Sequence, residues 1–422
     1  MALNPLPFHH PRWITRMPMT ISLCMIVKDE ADNLPQCLDS VRDFVDEIMV
    51  VDTGSEDDTI AIAQSYGAQV AEMAWTQDFA TARNQSLARA SSDWILVLDA
   101  DEALTHDGQT LLRQLREQSA LETIPLASII AVNLLRHEQG TAQSPYSELT
   151  RIFRNRSDIQ FERPYHESID DSVIRLQQAE PAWQVVRWPV IAITHTGYGE
   201  AAIAQRDKFL RAEKIMAAYL AEHPKDAYIC SKLGALYGSA GDWYKGQTLL
   251  ERGLAAQPAD PSTRYELHYH LGLAYRDQEL LALAIDHYQQ ALAQDVPDIL
   301  KVSAYVNLGS LYQASGNGQG ALAAFSAAVA AAPELALAHF NLGIAKRASG
   351  DLAGAVHAYQ RAIALNPAYA AAYQNLGVAL FKLGKIPESI QAFQTAIAHY
   401  RQSDPAQAER LLQSISQLGI QP

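Results

Sequence analysis

Cysteine is scarce in this 422-residue chain: Cys24, Cys37 and Cys230 are the three present. Three thiols at such spacing build neither a disulfide framework nor a zinc site, and point to a reducing, cytoplasmic compartment. Basic residues are in deficit, 33 Lys and Arg against 47 Asp and Glu, which gives a formal charge of −14. That balance argues against nucleic acid or an anionic membrane surface as the main partner. No apolar run approaches the ~20 residues of a membrane span. Residues 1–19 are Pro-rich but lack the apolar core of a signal peptide, and read as an extended tail or packed arm. The G-x-G-x-x-G turn and the P-loop are also missing, which weakens dinucleotide and ATP-hydrolysis readings. What is there is 48% hydrophobic sequence in a length that suggests two or three domains.

The chain is organised around residues 94–104. Trp94, Ile95, Leu96, Val97 and Leu98 form an unbroken apolar run, the pattern of a strand buried on both faces. It stops at Asp99, Ala100 and Asp101, and ligands of open α/β sheets bind beyond the carboxyl ends of strands. Two carboxylates in alternate positions there can reach one hard cation such as magnesium or manganese, which takes oxygen ligands and substrate phosphates. Two more strands precede this one. Residues 21–27 end at Lys28, Asp29 and Glu30, and residues 47–51 end at Asp52, Thr53, Gly54 and Ser55, a turn that favours a helix start. Helical spacing follows each strand, and residues 75–84 enter a third helix. Three alternations with acids at the strand ends predict a parallel nucleotide-binding sheet. From the residues alone, Asp52 fits a helix cap and Arg83 an ion pair on a helix surface.

Four segments then carry a resemblance: Met25-Ile26-Val27-Lys28-Asp29-Glu30, Val50-Val51-Asp52-Thr53-Gly54-Ser55, Asp78-Phe79-Ala80-Thr81-Ala82-Arg83-Asn84 and Leu98-Asp99-Ala100-Asp101-Glu102. Together they resemble family 2 inverting glycosyltransferases of the GT-A fold. The resemblance implies a UDP-sugar donor in an α/β, Rossmann-like domain over residues 20–200. It implies that Asp52 and Arg83 contact the nucleotide base, that Asp99 approaches the ribose or the metal, and that Asp101 ligates the metal bridging the diphosphate. By their place in these motifs, Val27, Glu30 and Ala100 join the nucleotide site.

The following segment is less regular. Strands are expected over 129–134 and 185–193, with a polar loop at 140–147. Residues 149–155, 161–169 and 194–198 are similar to the subgroup of these enzymes with a His-Glu pair and a later His-x-Gly-Tyr, although Arg163 and Pro164 stand where that subgroup usually has Gly. Inversion by single displacement needs a base for the acceptor hydroxyl, and a positioned carboxylate is the usual agent. Glu167, beside His166, is the first candidate, and Asp170 is the reserve, in a loop with Asp171. His195 ends an apolar strand, either as a buried structural histidine or as a third metal ligand. Arg151 and Arg154 flank a strand, where they hold phosphate or acceptor, or are solvated.

From about residue 227 the sequence repeats. Leu-Gly pairs recur at 233, 271, 308, 342 and 376, the last three spaced by 34, the period of tetratricopeptide repeats. Gly or Ala lets two helices approach, and an aromatic (Phe325, Tyr359) is expected to fill the gap between successive repeats. This predicts an all-α solenoid of five repeats over 227–402, a connecting helix within 201–226 and a capping helix within 403–422. Before Leu-Gly stand Lys232 and His270, then Asn307, Asn341 and Asn375, a candidate ladder for an extended peptide whose backbone matches the amides. The expected function is metal-dependent, inverting transfer from a UDP-sugar to a protein or peptide recruited by the repeats. A saccharide or lipid-linked acceptor is the alternative within the class, and a repeat scaffold with a lapsed transferase domain the alternative outside it.

Overall fold

The structure, a computed structural model, describes residues 18–117, 121, 123–141, 145–196 and 202–417, with side chains from 208 onward in the last segment. The expected tail 1–19 therefore falls almost wholly outside the described residues, as do Gly197 and Tyr198. Two compact units divide the chain: Met1–His137 with Glu148–Gly197, and Glu138–Ser147 with Tyr198–Pro422.

The first unit is α/β. Its elements are β1 (Ile21–Val27), α1 (Leu34–Val41), β2 (Glu47–Asp52), α2 (Thr59–Ser65), β3 (Gln69–Glu72), α3 (Phe79–Leu87), β4 (Trp94–Val97), β5 (Glu102–Leu104), α4 (His106–Arg116), β6 (Ile129–Glu138), β7 (Tyr146–Arg154), α5 (Asp170–Ala179) and β8 (Gln184–His195). They form one sheet in the order β3-β2-β1-β4-β7-β6-β8-β5. β4 is buried throughout, and its residues serve two cores. Trp94 and Leu96, with Leu98 just past the strand, pack with Ile21, Leu23 and Met25 on one face; Ile95 and Val97 pack with Cys24, Met49 and Phe153 on the other. This is why no polar residue interrupts the run until the strand ends.

The expectation of a parallel sheet holds for half of it. β3, β2, β1 and β4 run parallel, but β7 pairs antiparallel with β4, and β5 antiparallel with β8. β7 is reached from β6 through a short connection rather than a crossover helix, so it enters the sheet from the opposite direction. Two further expectations need correction. Asp52 does not cap α2, which begins seven residues later at Thr59 behind Asp58. Asp170 and Asp171 are not in a loop but form the first turn of α5, where acidic side chains oppose the positive end of the helix dipole.

The second unit contains α6 (Ala202–Glu222), then the pairs α7 (Ala227–Ser239) and α8 (Trp243–Ala255), α9 (Pro261–Asp277) and α10 (Leu281–Leu292), α11 (Val302–Ala314) and α12 (Gly318–Ala331), α13 (Ala336–Ala348) and α14 (Leu352–Leu365), and α15 (Ala370–Lys382) and α16 (Ile386–Ser403), closed by α17 (Pro405–Gln417). Each pair is a hairpin whose helices meet at the Leu-Gly glycine. A Cβ on Gly309 would lie 2.7 Å from the Phe325 ring, and Gly343 and Gly377 meet Tyr359 and Phe393 in the same way. The aromatic therefore fills the gap inside its own pair as well as the next one, where Tyr288 packs with Ala304 and Leu308. Ala408, Leu411 and Ile415 of α17 pack with Phe393, Ala396 and Ile397 of α16. Among the described residues no helix is long and apolar enough to cross a membrane.

Candidate active site

The ends of β1 and β2 are latched together. Val27 and Asp52 are register partners, and Thr53 donates its N–H to the Val27 carbonyl at 3.0 Å. The Asp52 carboxylate, 1% exposed, accepts the N–H groups of Gly54 (2.8 Å) and Ser55 (2.9 Å) and the Ser55 hydroxyl. Asp29, at φ 55°, accepts the Glu56 N–H and donates its own to Ser55 Oγ, while Glu30 donates its N–H to Thr59 Oγ1. Of the residues expected to cradle a nucleotide, Val27, Glu30 and Asp52 thus share one hydrogen-bonded turn.

Beyond β4 the site is a chain of alternating charges. Arg83, 5% exposed on α3, donates from Nε to Glu167 Oε1 and from Nη2 to Asp99 Oδ1, each at 2.5 Å. Arg151 on β7 donates from Nη2 to Asp99 Oδ2 (2.7 Å) and to Glu102 Oε1 (2.8 Å). Arg136 on β6 completes the row with a 2.5 Å contact to Glu102 Oε1, whose side chain is wholly buried. Burial pushes the Asp99 carboxyl upward, but the Arg151 and Arg83 guanidiniums outweigh it and hold Asp99 well below the usual carboxylate range. For Arg83, burial opposes the charge, and Asp99 and Glu167 together reverse that and raise its affinity for its proton. Arg83 Nη1 and Arg151 Nε are buried and meet no acceptor among the described residues.

Asp101 faces the other way. Its Oδ2 lies 3.0 Å from His195 Nε2, and both side chains remain partly exposed. β5 and β8 create this pair: Glu102 is the register partner of His195, and Thr196 donates its N–H to the Asp101 carbonyl at 3.1 Å. No cluster of three or more His, Cys, Asp or Glu among the described residues is arranged to hold a metal. Asp101 and His195 do offer one hard oxygen and one imidazole nitrogen, a donor pair that suits a divalent cation whose other positions go to phosphates and water. Asp99 does not join them here, since both its oxygens face guanidiniums.

The other candidates separate. Ala100 is buried between Asp99 and Asp101. Asp170 accepts the hydroxyls of Thr150 and Ser168, each at 2.6 Å, which leaves it engaged at the start of α5. Arg154 is neither solvated nor part of the site: it donates to the carbonyls of Leu126 and Ile129 and lies 4.2 Å over the Trp94 ring. Arg83 is an ion pair, as its residue type suggests, but a buried one. Glu102 and Arg136 were missed as supports; Glu102 had a signal, as the third acid after the β4 run, and Arg136 had none.

In the repeats, Lys232 pairs with Glu266 at 2.7 Å. Asn307 accepts from Arg276 at 2.9 Å, and Asn375 donates to the Ala371 carbonyl of its own helix at 2.9 Å. Asn341 makes no side-chain hydrogen bond with any described residue. The three amides are therefore not equivalent.

Comparison with known proteins agrees with this division. Residues 22–186 match the family described as Glycosyl transferase family 2, and residues 231–298, 306–356 and 370–403 match tetratricopeptide repeats. A TPR repeat-containing protein of Synechococcus elongatus is 49% identical over 314 residues, 74% of this chain and 76% of that protein. An uncharacterized glycosyltransferase of Rickettsia felis is 26% identical over 195 residues, 46% of this chain and 68% of its own. Among solved structures, MamA is similar over 40% of this chain and 96% of its own, at 26% identity and a TM-score of 0.36. The chain carries a glycosyl transferase family 2 domain at its N-terminal side, followed by tetratricopeptide repeats like those named for its Synechococcus relative.

Proposed function

We propose that this glycosyltransferase is metal-dependent and inverting, and that it transfers a sugar from a UDP-sugar to a protein or peptide recruited by its repeats. The observation that carries the reading is the convergence, at the carboxyl end of β4, of a cation-ready pair, Asp101 and His195, with the buried row that ends in Glu167. Val27, Glu30, Asp52, Asp99 and Ala100 form the donor side, and Arg83 joins Asp99 to Glu167. Asp101 and His195 would hold manganese or magnesium, which would offset charge on the departing diphosphate. Asp99 meets the ribose. Glu167 takes the proton of the acceptor hydroxyl as its oxygen bonds to the anomeric carbon and the bond to the diphosphate breaks. Asp170 is a poor substitute because two hydroxyls already occupy it. Buried, unpaired Cys24, Cys37 and Cys230 support a reducing, cytoplasmic setting.

The test is calorimetry of UDP binding with and without manganese. Asp101→Ala should abolish the manganese enhancement while the melting temperature is retained, because a strand-end carboxylate supports no core packing. His195→Ala should weaken it less, since water can take the vacated position. Unchanged metal-dependent affinity in both variants contradicts the site.

A further inference from the structure

We propose that Arg83 is the positioning residue of the base: it ties Glu167 to the donor-side Asp99, so one guanidinium sets the place of both carboxylates. The inference rests on the reading of Glu167 as the base. It departs from the nucleotide-base contact that the family resemblance implies for Arg83.

Two of the three guanidinium nitrogens are spent on carboxylates, Nε on Glu167 and Nη2 on Asp99, each at 2.5 Å. Nη1 is buried with no acceptor among the described residues, so it is not presented to solvent for a ligand. A guanidinium is planar and offers its donors in a rigid fork, so fixing Asp99 on one side fixes Glu167 on the other. Asp99 cannot follow a drifting Arg83, because Arg151 holds its second oxygen at 2.7 Å and the wholly buried Glu102 holds Arg151 at 2.8 Å. The Phe161 ring, 5.5 Å from the guanidinium carbon, confines Arg83 from a third direction.

Glu167 has need of such an anchor. Its segment is bent through His166 at φ 53° and Arg163 at φ 75°, left-handed conformations that side chains rarely adopt. The backbone of Glu162 and Ser168 closes this bend at 2.9 and 3.2 Å, which leaves Glu167 on a short irregular strap. Without Arg83 the strap would still close, but its carboxylate would lose the guanidinium that is hydrogen-bonded to it and to Asp99.

The experiment is a double-mutant cycle in the manganese-loaded full chain with Arg83→Met, Glu167→Gln and the two combined. It is read by turnover in UDP-sugar hydrolysis, by UDP affinity and by melting temperature. Arg83→Met should lower turnover ~10²-fold, within the range of a positioned base. UDP affinity should stay within ~3-fold, and adding Arg83→Met to Glu167→Gln should lower turnover by less than ~3-fold more, because its effect passes through Glu167. Arg83→Lys keeps the charge without the fork and should behave like Arg83→Met; it replaces Arg83→Met in the cycle if that variant does not fold. A drop in UDP affinity of ~10-fold or more, or effects that multiply in full, would overturn the inference and return Arg83 to the nucleotide. Wild-type turnover in Glu167→Gln alone would overturn the base assignment itself, and the inference with it.

Discussion

Glu102 and Asp99 close the turn between β4 and β5 from both sides: the Glu102 carboxylate accepts the Asp99 N–H at 2.9 Å, and the Asp99 carbonyl accepts the Glu102 N–H at 3.0 Å. Asp101 rides on this turn, so its distance to His195 depends on the Glu102 carboxylate, which is hydrogen-bonded to Asp99 N–H, Arg136 and Arg151 instead. Glu102→Gln keeps the shape but leaves the buried Arg136 and Arg151 short of one negative charge. Breaking a buried pair in this way costs about 3–5 kcal/mol. Urea unfolding at neutral pH should show that loss, and manganese titration should show weaker binding, as when a residue that orients metal ligands is removed. Unchanged stability would mean the two arginines do not depend on Glu102.

The candidate asparagines should respond differently to substitution. Asn307→Ala removes the acceptor of Arg276 and should lower stability by about 1–3 kcal/mol, the scale of a hydrogen bond to a charged group. Asn341→Ala should leave the melting temperature unchanged and reduce transfer to the acceptor relative to donor hydrolysis. A melting temperature that falls equally for both would make the asparagines structural.

Gly309→Ala is expected to destabilise the array. The added Cβ would stand 2.7 Å from the Phe325 ring, which is itself 1% exposed and has no room to retreat. Overpacking of this kind costs about 1–3 kcal/mol. Gly318→Ala, with open space around it, is the control for thermal unfolding.

Acidification should weaken the second repeat. Burial lowers the His268 pKa to about 4, helped by His287, whose Nδ1 lies 3.1 Å away, and by Arg264, with Asp286 opposing. Burial likewise lowers His270 to about 4, Glu266 opposing and Lys232 assisting. Between the ordinary value of ~6.5 and these values the unfolded chain binds more protons than the folded one, so stability falls as pH drops through that window. Thermal unfolding at several pH values from neutral to mildly acid should show a falling midpoint, with a shallower slope in His268→Gln. A midpoint flat across this range would contradict the burial of these rings.

What the sequence revealed and concealed follows from the range of the forces involved. β4 was legible because burial on both faces leaves an apolar run, and the repeats were legible because their period is written in Leu-Gly pairs. β3, Gln69–Glu72, is an edge strand without a buried face, and β5, Glu102–Leu104, is three residues long and exists because β8 pairs with it. Neither carries a local pattern. The acids of the site were legible at their strand ends, but their pairing was not. Arg83 meets a partner 84 residues away, and Arg136 reaches Glu102 across 34. The aromatic positions were visible too, whereas the helix each one serves emerged only from packing.

The glycine–aromatic contact inside each helix pair has a consequence for how such a chain can change length. Gly309 with Phe325, Gly343 with Tyr359 and Gly377 with Phe393 are each satisfied within one hairpin. A tandem duplication of one 34-residue unit would then carry its own knob and socket, and each of these glycines would keep its aromatic. The array can therefore grow or shrink by whole units at a single genetic step, while the charge row around Arg83 admits no such insertion.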